Sequence, residues 1–448
     1  MPTPTTARRR WPRKLLRLVA GGVAAGVLVG IALLAVACET MGAAAEGDRL
    51  ARMQASPRYK DGIFHNDRVK RPWDMGAMLS SSLTESSSEA TPEEGDLPLE
   101  RRRASDFATP PSSGLRVTWF GHSSFLVELD GKKVLIDPVW GERASPFTFA
   151  GPKRFVPPAL PLADLPTLDA VVISHDHYDH LDHETVVALA QTTTPSGRPL
   201  RLVVPLGIGA HLEHWGIDAG QIDELDWWDH VDIGDGVQLT ATPARHFSGR
   251  GLTDRDATLW AGWAITGPAH RAFYSGDTAM HDTFVDIGQK LGPFDVTMIE
   301  SGAYNKNWAD VHLGPEQAVR AHRLVRGKIM LAAHWGLFDL ALHSWVEPME
   351  RVIAAATREG VHVVAPRVGG QVLVPDDPQS LPATASLEKW WPAHVQWTPA
   401  SEHKVRSSGI DHLMADGAVE QLTVPKAAAA ASDDDDKHAK ATVAPTLP

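Results

Sequence analysis

Cysteine is almost absent: the 448-residue chain has one, Cys38. That excludes an intrachain disulfide framework and every zinc or iron–sulfur cage built on thiolates, so a bound metal must be held by nitrogen and oxygen. A basic surplus is missing too. With 43 Lys and Arg against 55 Asp and Glu the net charge is −12, which argues against nucleic-acid phosphate as a partner. No internal repeat is visible. What is present is a 43% apolar fraction, enough for a full-sized core, and 21 histidines.

Residues 1–38 join the basic stretch Arg8-Arg9-Arg10-Trp11-Pro12-Arg13-Lys14 to an uncharged run from Leu18 to Ala37. Twenty such residues at ~1.5 Å each reach across the ~30 Å of a bilayer core. One reading is a signal anchor with its basic flank inside. Another is a cleaved signal peptide, because Ala35-Val36-Ala37-Cys38 looks like a bacterial lipoprotein cleavage box. A third is a chance cysteine after a transmembrane helix. The expectation is an exported protein anchored in the bacterial cell envelope.

Residues 39–113 are polar, with Ser80-Ser81-Ser82, Ser86-Ser87-Ser88 and Pro110-Pro111, and are expected as a spacer or a wrapping arm. Within them Tyr59 to Asn66 carries aromatic anchors that could dock. A compact domain is expected over 114–377, followed by a mostly irregular tail over 378–448 that includes Asp433–Asp436.

Strand character appears at Arg116–Phe120, Ser124–Leu129 and Lys133–Ile136, the last two joined by Asp130-Gly131, a hairpin signal. Apolar runs recur at Ala170–Ile173, Leu202–Val204, Val237–Thr242, Ala272–Tyr274, Val296–Ile299, Ile329–Ala332 and Val361–Val364, later alternating with helical patterns. A helix opens at Pro315 with Glu316 in its first turn. This order predicts an α/β fold of two facing sheets covered by helices.

The decisive stretch is Ser174-His175-Asp176-His177-Tyr178-Asp179-His180-Leu181-Asp182, directly after an apolar strand. Four ligand-type side chains in six positions, delivered by a rigid element, can serve metal. His175 and His177, two apart, project to one side; Asp179 and His180 can turn toward a second ion. A capped polar loop is the bland alternative for a single histidine. Three more candidates follow apolar strands: His246, Asp277 and His334. Taken singly, Asp277 could be a turn residue and His334 a core histidine.

His175 to His180 match the His-x-His-x-Asp-His motif, and on it the chain resembles the metallo-β-lactamase superfamily, whose fold is an αββα sandwich. More narrowly it is similar to N-acylphosphatidylethanolamine-hydrolysing phospholipases D, through blocks such as Gly151-Pro152-Lys153-Arg154-Phe155, Glu224-Leu225-Asp226-Trp227-Trp228, Gly302-Ala303-Tyr304 and His334-Trp335-Gly336. The resemblance covers roughly Leu115 to Val374. It implies two Zn²⁺ per chain, one held by His175, His177 and His246, the other by Asp179, His180 and His334, with Asp277 bridging and taking part in catalysis. His312 is implied to contact substrate or shuttle a proton, and Arg250 to meet a phosphate. Asp137, Asp176 and His122 are candidates to orient ligand imidazoles. Such a site would make water nucleophilic near neutral pH for attack on phosphorus. The implied products are an N-acylethanolamine and phosphatidic acid. The implied partners are phospholipid and a membrane, not nucleic acid, with a homodimer as an allowed assembly. Competing readings are a lactonase-like hydrolase of the same fold and a non-enzymatic, zinc-braced envelope lipoprotein.

Overall fold

Val134-Leu135-Ile136 and Ala170-Val171-Val172 have no polar face to offer water, and all six residues are fully buried. They sit where such runs belong, in the middle of a sheet with both faces covered. In a computed structural model that describes residues 39–68, 70, 80, 81, 87, 89–402 and 404–423, the strands in chain order are β1 (Tyr59–Lys60), β2 (Ile63–Phe64), β3 (Leu115–Trp119), β4 (Phe125–Leu129), β5 (Lys132–Ile136), β6 (Ala170–Val172), β7 (Arg201–Pro205) and β8 (Ile222–Leu225). They continue with β9 (His230–Asp232), β10 (Gln238–Thr242), β11 (Gly262–Thr266), β12 (Arg271–Tyr274), β13 (Phe294–Glu300), β14 (Gly327–Ala333), β15 (His362–Val364) and β16 (Gln371–Leu373).

β1 and β2 form a small hairpin; the rest make two seven-stranded sheets, ordered β16-β3-β4-β5-β6-β7-β8 and β15-β14-β13-β12-β11-β10-β9. Each sheet is half antiparallel and half parallel. Pairing is antiparallel from β16 to β5 and from β9 to β12, then parallel from β5 to β8 and from β12 to β15. The sheets share one core, and hydrogen bonds link them: Trp263 Nε1 donates to the Ile173 carbonyl at 3.0 Å and the Ala261 amide to the Ser174 carbonyl at 2.9 Å. Helices flank the sheets, among them Pro315–Leu324, which opens on proline as expected, and Glu347–Glu359.

Segments at both ends of the domain pack onto it. Residues 39–113 contain a helix, Gly47–Ala55, besides the hairpin. That helix is held by charge as well as by its buried Met53: Arg49 and Arg52 reach the Glu224 carboxylate at 2.6 and 2.7 Å. Residues 378–423 are mostly irregular, with only short helical turns, yet Trp391, Val395, Val405, Ile410 and Leu413 in them are buried. Leu18–Ala37, Cys38 and Asp433–Asp436 lie outside the described residues. Among the described residues no helix is long and apolar enough to cross a membrane.

Candidate metal centre

Parallel strands present their C-terminal ends at one edge of a sheet, where loops can carry side chains of any chemistry. His175, His177, Asp179 and His180 leave the end of β6, and His246 follows β10. Asp277 follows β12, and His334 follows β14. The structure brings all seven together from both sheets.

His175, His177 and His246 form one cluster whose ligand atoms lie within 4.8 Å of one another. His175 Nε2 is 2.7 Å, and His246 Nε2 3.4 Å, from His177 Nδ1. Asp179, His180 and His334 form a second cluster, joined by His122. Asp277 stands between them. Its Oδ2 is 3.9 Å from His175 Nε2, 3.8 Å from His246 Nε2 and 3.2 Å from His180 Nε2, while Oδ1 is 3.1 Å from His334 Nδ1.

The neighbours fix these rings. Asp137 accepts from the Ser174 amide, the Ser174 and Tyr274 hydroxyls and His180 Nδ1 at 2.6–2.8 Å, so Nε2 of His180 is the nitrogen turned to the site. Nδ1 of His246 faces the Val311 carbonyl at 3.0 Å. His122 Nε2 meets Asp179 at 2.8 Å. Asp176 is taken instead by Thr258, His211 and the Gly249 amide, so of the two carboxylates it is Asp137 that orients a ligand. The backbone is strained here: His122, Asp137 and His334 all have positive φ (53°, 39° and 63°), a region that side-chain-bearing residues rarely adopt. Gly302 admits that geometry, because a Cβ there would stand 2.0 Å from the His334 carbonyl.

Does this donor set suit a metal? Burial, first of all, and crowding by the other imidazoles hold His175 well below the usual histidine range and bring His177 down to about 4, so both are neutral and can act as ligands. Burial opposes protonation of His180 too, yet Asp277, Asp179 and Asp137 outweigh it and hold this ring well above that range. A proton kept between carboxylates marks a place that calls for positive charge. Burial pushes Asp277 up to about 6. His180 Nε2, His122 Nδ1 and Asp277 Oδ1 are buried without a hydrogen-bond partner, an expensive arrangement unless a cation completes it. The residues fit a metal site.

The beta-lactamase superfamily domain profile matches residues 132–335. N-acyl-phosphatidylethanolamine-hydrolyzing phospholipase D 1 of Caenorhabditis elegans is 37% identical over 317 residues, 66% of this chain and 87% of that protein. The chain belongs to the metallo-β-lactamase superfamily. It is a metal-dependent hydrolase of that superfamily, and the two facing sheets with flanking helices are its αββα sandwich. An uncharacterized protein of Mycobacterium tuberculosis is 43% identical over 396 residues, 85% of this chain and 99% of that one. A metallo hydrolase from the archaeon Ignicoccus hospitalis superposes with a TM-score of 0.43 at 22% identity, covering 58% of this chain and 97% of that one.

Two residues of this metallo-β-lactamase-fold hydrolase stand apart from the sequence reading. Arg250 does not face the centre. It is 4% exposed: Nε and Nη2 donate to the Thr40 carbonyl at 3.1 and 2.8 Å, Nη1 donates to those of Asp176 and Leu181 at 2.6 and 2.9 Å, and the guanidinium lies 4.0 Å over the Tyr178 ring. Its donors are committed to backbone, so the expected phosphate contact is replaced by bracing of the ligand loop. Arg250→Ala removes these donors from the carbonyls of Thr40, Asp176 and Leu181. The expected result is a loss of about 2–4 kcal/mol of stability with KM unchanged in the folded protein, checked by denaturant unfolding alongside steady-state kinetics.

The second is Glu300, which the sequence reading missed. It is the last residue of β13, fully buried, and burial pushes its carboxyl well above the usual range. Oε2 accepts from the Thr278 and Leu313 amides at 2.6 and 3.4 Å, and Oε1 faces His312 Nδ1. His312 itself lies 3.8 Å from Asp277 and is stacked on His334 with ring centroids 5.3 Å apart. An acidic residue closing the apolar run Val296–Ile299 is the same signal that pointed to Asp277, and it could have revealed Glu300.

Proposed function

We propose that the chain is a membrane-tethered, dinuclear zinc phosphodiesterase that cleaves phospholipids in the manner of a phospholipase D. N-acylphosphatidylethanolamine is the preferred substrate, giving N-acylethanolamine and phosphatidic acid. The observation that carries this is the pair of three-residue clusters meeting on one carboxylate, Asp277, in a chain 37% identical to a protein named for that reaction. His175, His177 and His246 would hold one ion and Asp179, His180 and His334 the other, with Asp277 shared. Imidazole and carboxylate together suit Zn²⁺. Bound there, two such ions would polarise the phosphoryl oxygens and bring the pKa of water to ~7.

The chain's own residues do the rest. Asp137 and Val311 keep His180 and His246 turned inward. His312, with Nδ1 on Glu300, has Nε2 as the nitrogen able to hand a proton to the departing alcohol oxygen. The uncharged run Leu18–Ala37 supports a tether that keeps the enzyme where a lipid substrate lies, in the envelope of a bacterium. In this reading the partners are phospholipid and membrane, not nucleic acid, and a homodimer is allowed.

The test is product analysis with the full chain offered N-acylphosphatidylethanolamine, its non-acylated counterpart and a lactone. N-acylethanolamine release should disappear with a strong chelator and return with zinc. Turnover of the lactone alone, or lipid cleavage indifferent to chelation, refutes the proposal.

A further inference from the structure

We infer that Asn66, in the arm ahead of the catalytic domain, is a positioning residue for the metal ligand His246. The two are 180 positions apart, yet the Asn66 side chain pairs with both backbone groups of His246. Nδ2 donates to the His246 carbonyl at 2.8 Å, and Oδ1 accepts from the His246 amide at 3.0 Å. Lys70 Nζ adds a second donor to the same carbonyl at 2.9 Å.

His246 needs this help because it lies past the end of β10, where no neighbouring strand supplies its backbone partners, and it is completely buried. A buried peptide group without a partner is costly, and one held from two sides cannot rotate. The amide fork is a one-residue substitute for a strand. Backbone and ring are then fixed by different parts of the chain: Asn66 holds the main chain, and Val311 takes Nδ1. Nε2 is left directed at the cluster, 3.4 Å from His177 Nδ1 and 3.8 Å from Asp277 Oδ2.

Asn66 can do this because the arm that carries it is anchored. Phe64 is buried, edge-on to Tyr59 with ring centroids 4.9 Å apart, and its amide donates to Asp256 at 2.8 Å. Arg58 lies 4.4 Å over the Trp227 ring. The hairpin and the stretch from His246 to Asp256 therefore form one unit. Chemistry also restricts the residue type, since one planar group must give and accept a hydrogen bond at once. Aspartate cannot donate to the carbonyl, and alanine does neither.

The inference rests on His246 being a metal ligand, and the experiment separates the two claims. The full chain, Asn66→Ala, Asn66→Asp and Arg58→Ala are each loaded with cobalt(II). Cobalt affinity by chelator competition, the visible absorption of the bound cobalt, Tm, kcat and KM are then compared. Arg58→Ala is the control, loosening the arm at Trp227 without touching His246. Both Asn66 variants should bind cobalt about 10–100-fold more weakly, with an altered spectrum and a fall in kcat rather than a rise in KM. Arg58→Ala should lower Tm and leave the spectrum alone. Wild-type protein that takes up no cobalt removes the metal reading and this inference with it. Asn66 variants that match Arg58→Ala, losing Tm but keeping affinity, spectrum and kcat, overturn the positioning role only.

Discussion

Asp277→Asn should remove hydrolysis, by on the order of 10²–10³-fold or more in kcat, while the protein stays folded. The carboxylate touches both histidine clusters, with Oδ2 within 3.9 Å of His175, His180 and His246 and Oδ1 on the side of His334. Asparagine keeps the shape but replaces one oxygen with an N–H group that cannot ligate and carries no charge to offset cations. The amide also avoids the cost that burial imposes on the carboxyl, whose pKa rises to about 6, so the apo protein has no reason to unfold. Metal content by elemental analysis, far-UV circular dichroism and steady-state rates check the three parts. Full activity in the variant would show that Asp277 does not connect the clusters.

Glu300→Gln is expected to be nearly as informative. The Thr278 and Leu313 amides both point at Oε2 and demand an oxygen there. The glutamine carbonyl must therefore take that side, which turns its NH₂ toward His312 Nδ1. In the native site the carboxyl and the imidazole face each other across Oε1 and Nδ1 and can share a proton. In the variant a fixed donor occupies that line, so Nδ1 is confined to accepting and the neutral ring carries its proton on Nε2. If His312 moves a proton during turnover, kcat falls about 100-fold with KM little changed. Nitrogen NMR of the histidine rings should show the His312 tautomer locked. A variant with native kcat and an unaltered tautomer would make Glu300 a purely structural acid.

The candidate metal ligands are legible because the chemistry is dense: four of seven lie between His175 and His180, and the other three each follow an apolar strand. The buried central strands were legible for the same reason, being unbroken apolar runs. What escaped has physical causes in common. β8, β9 and β16 are short and partly exposed, so they carry no apolar run. β11, Gly262–Thr266, opens on glycine and is too mixed to stand out. Arg250 was misplaced because the groups that capture it are the carbonyls of Thr40, Asp176 and Leu181, and a carbonyl has no signature in sequence. The helix of the arm was hidden because its attachment is ionic, Arg49 and Arg52 reaching a glutamate some 170 positions away.

Neither sheet owns a complete coordination sphere. His175 and His177 leave one sheet and His246 the other; Asp179 and His180 leave one and His334 the other. A cation in either cluster is thus a rivet through both plates of the sandwich. A half-domain would lack at least one member of each cluster, and both clusters are complete only when the plates close.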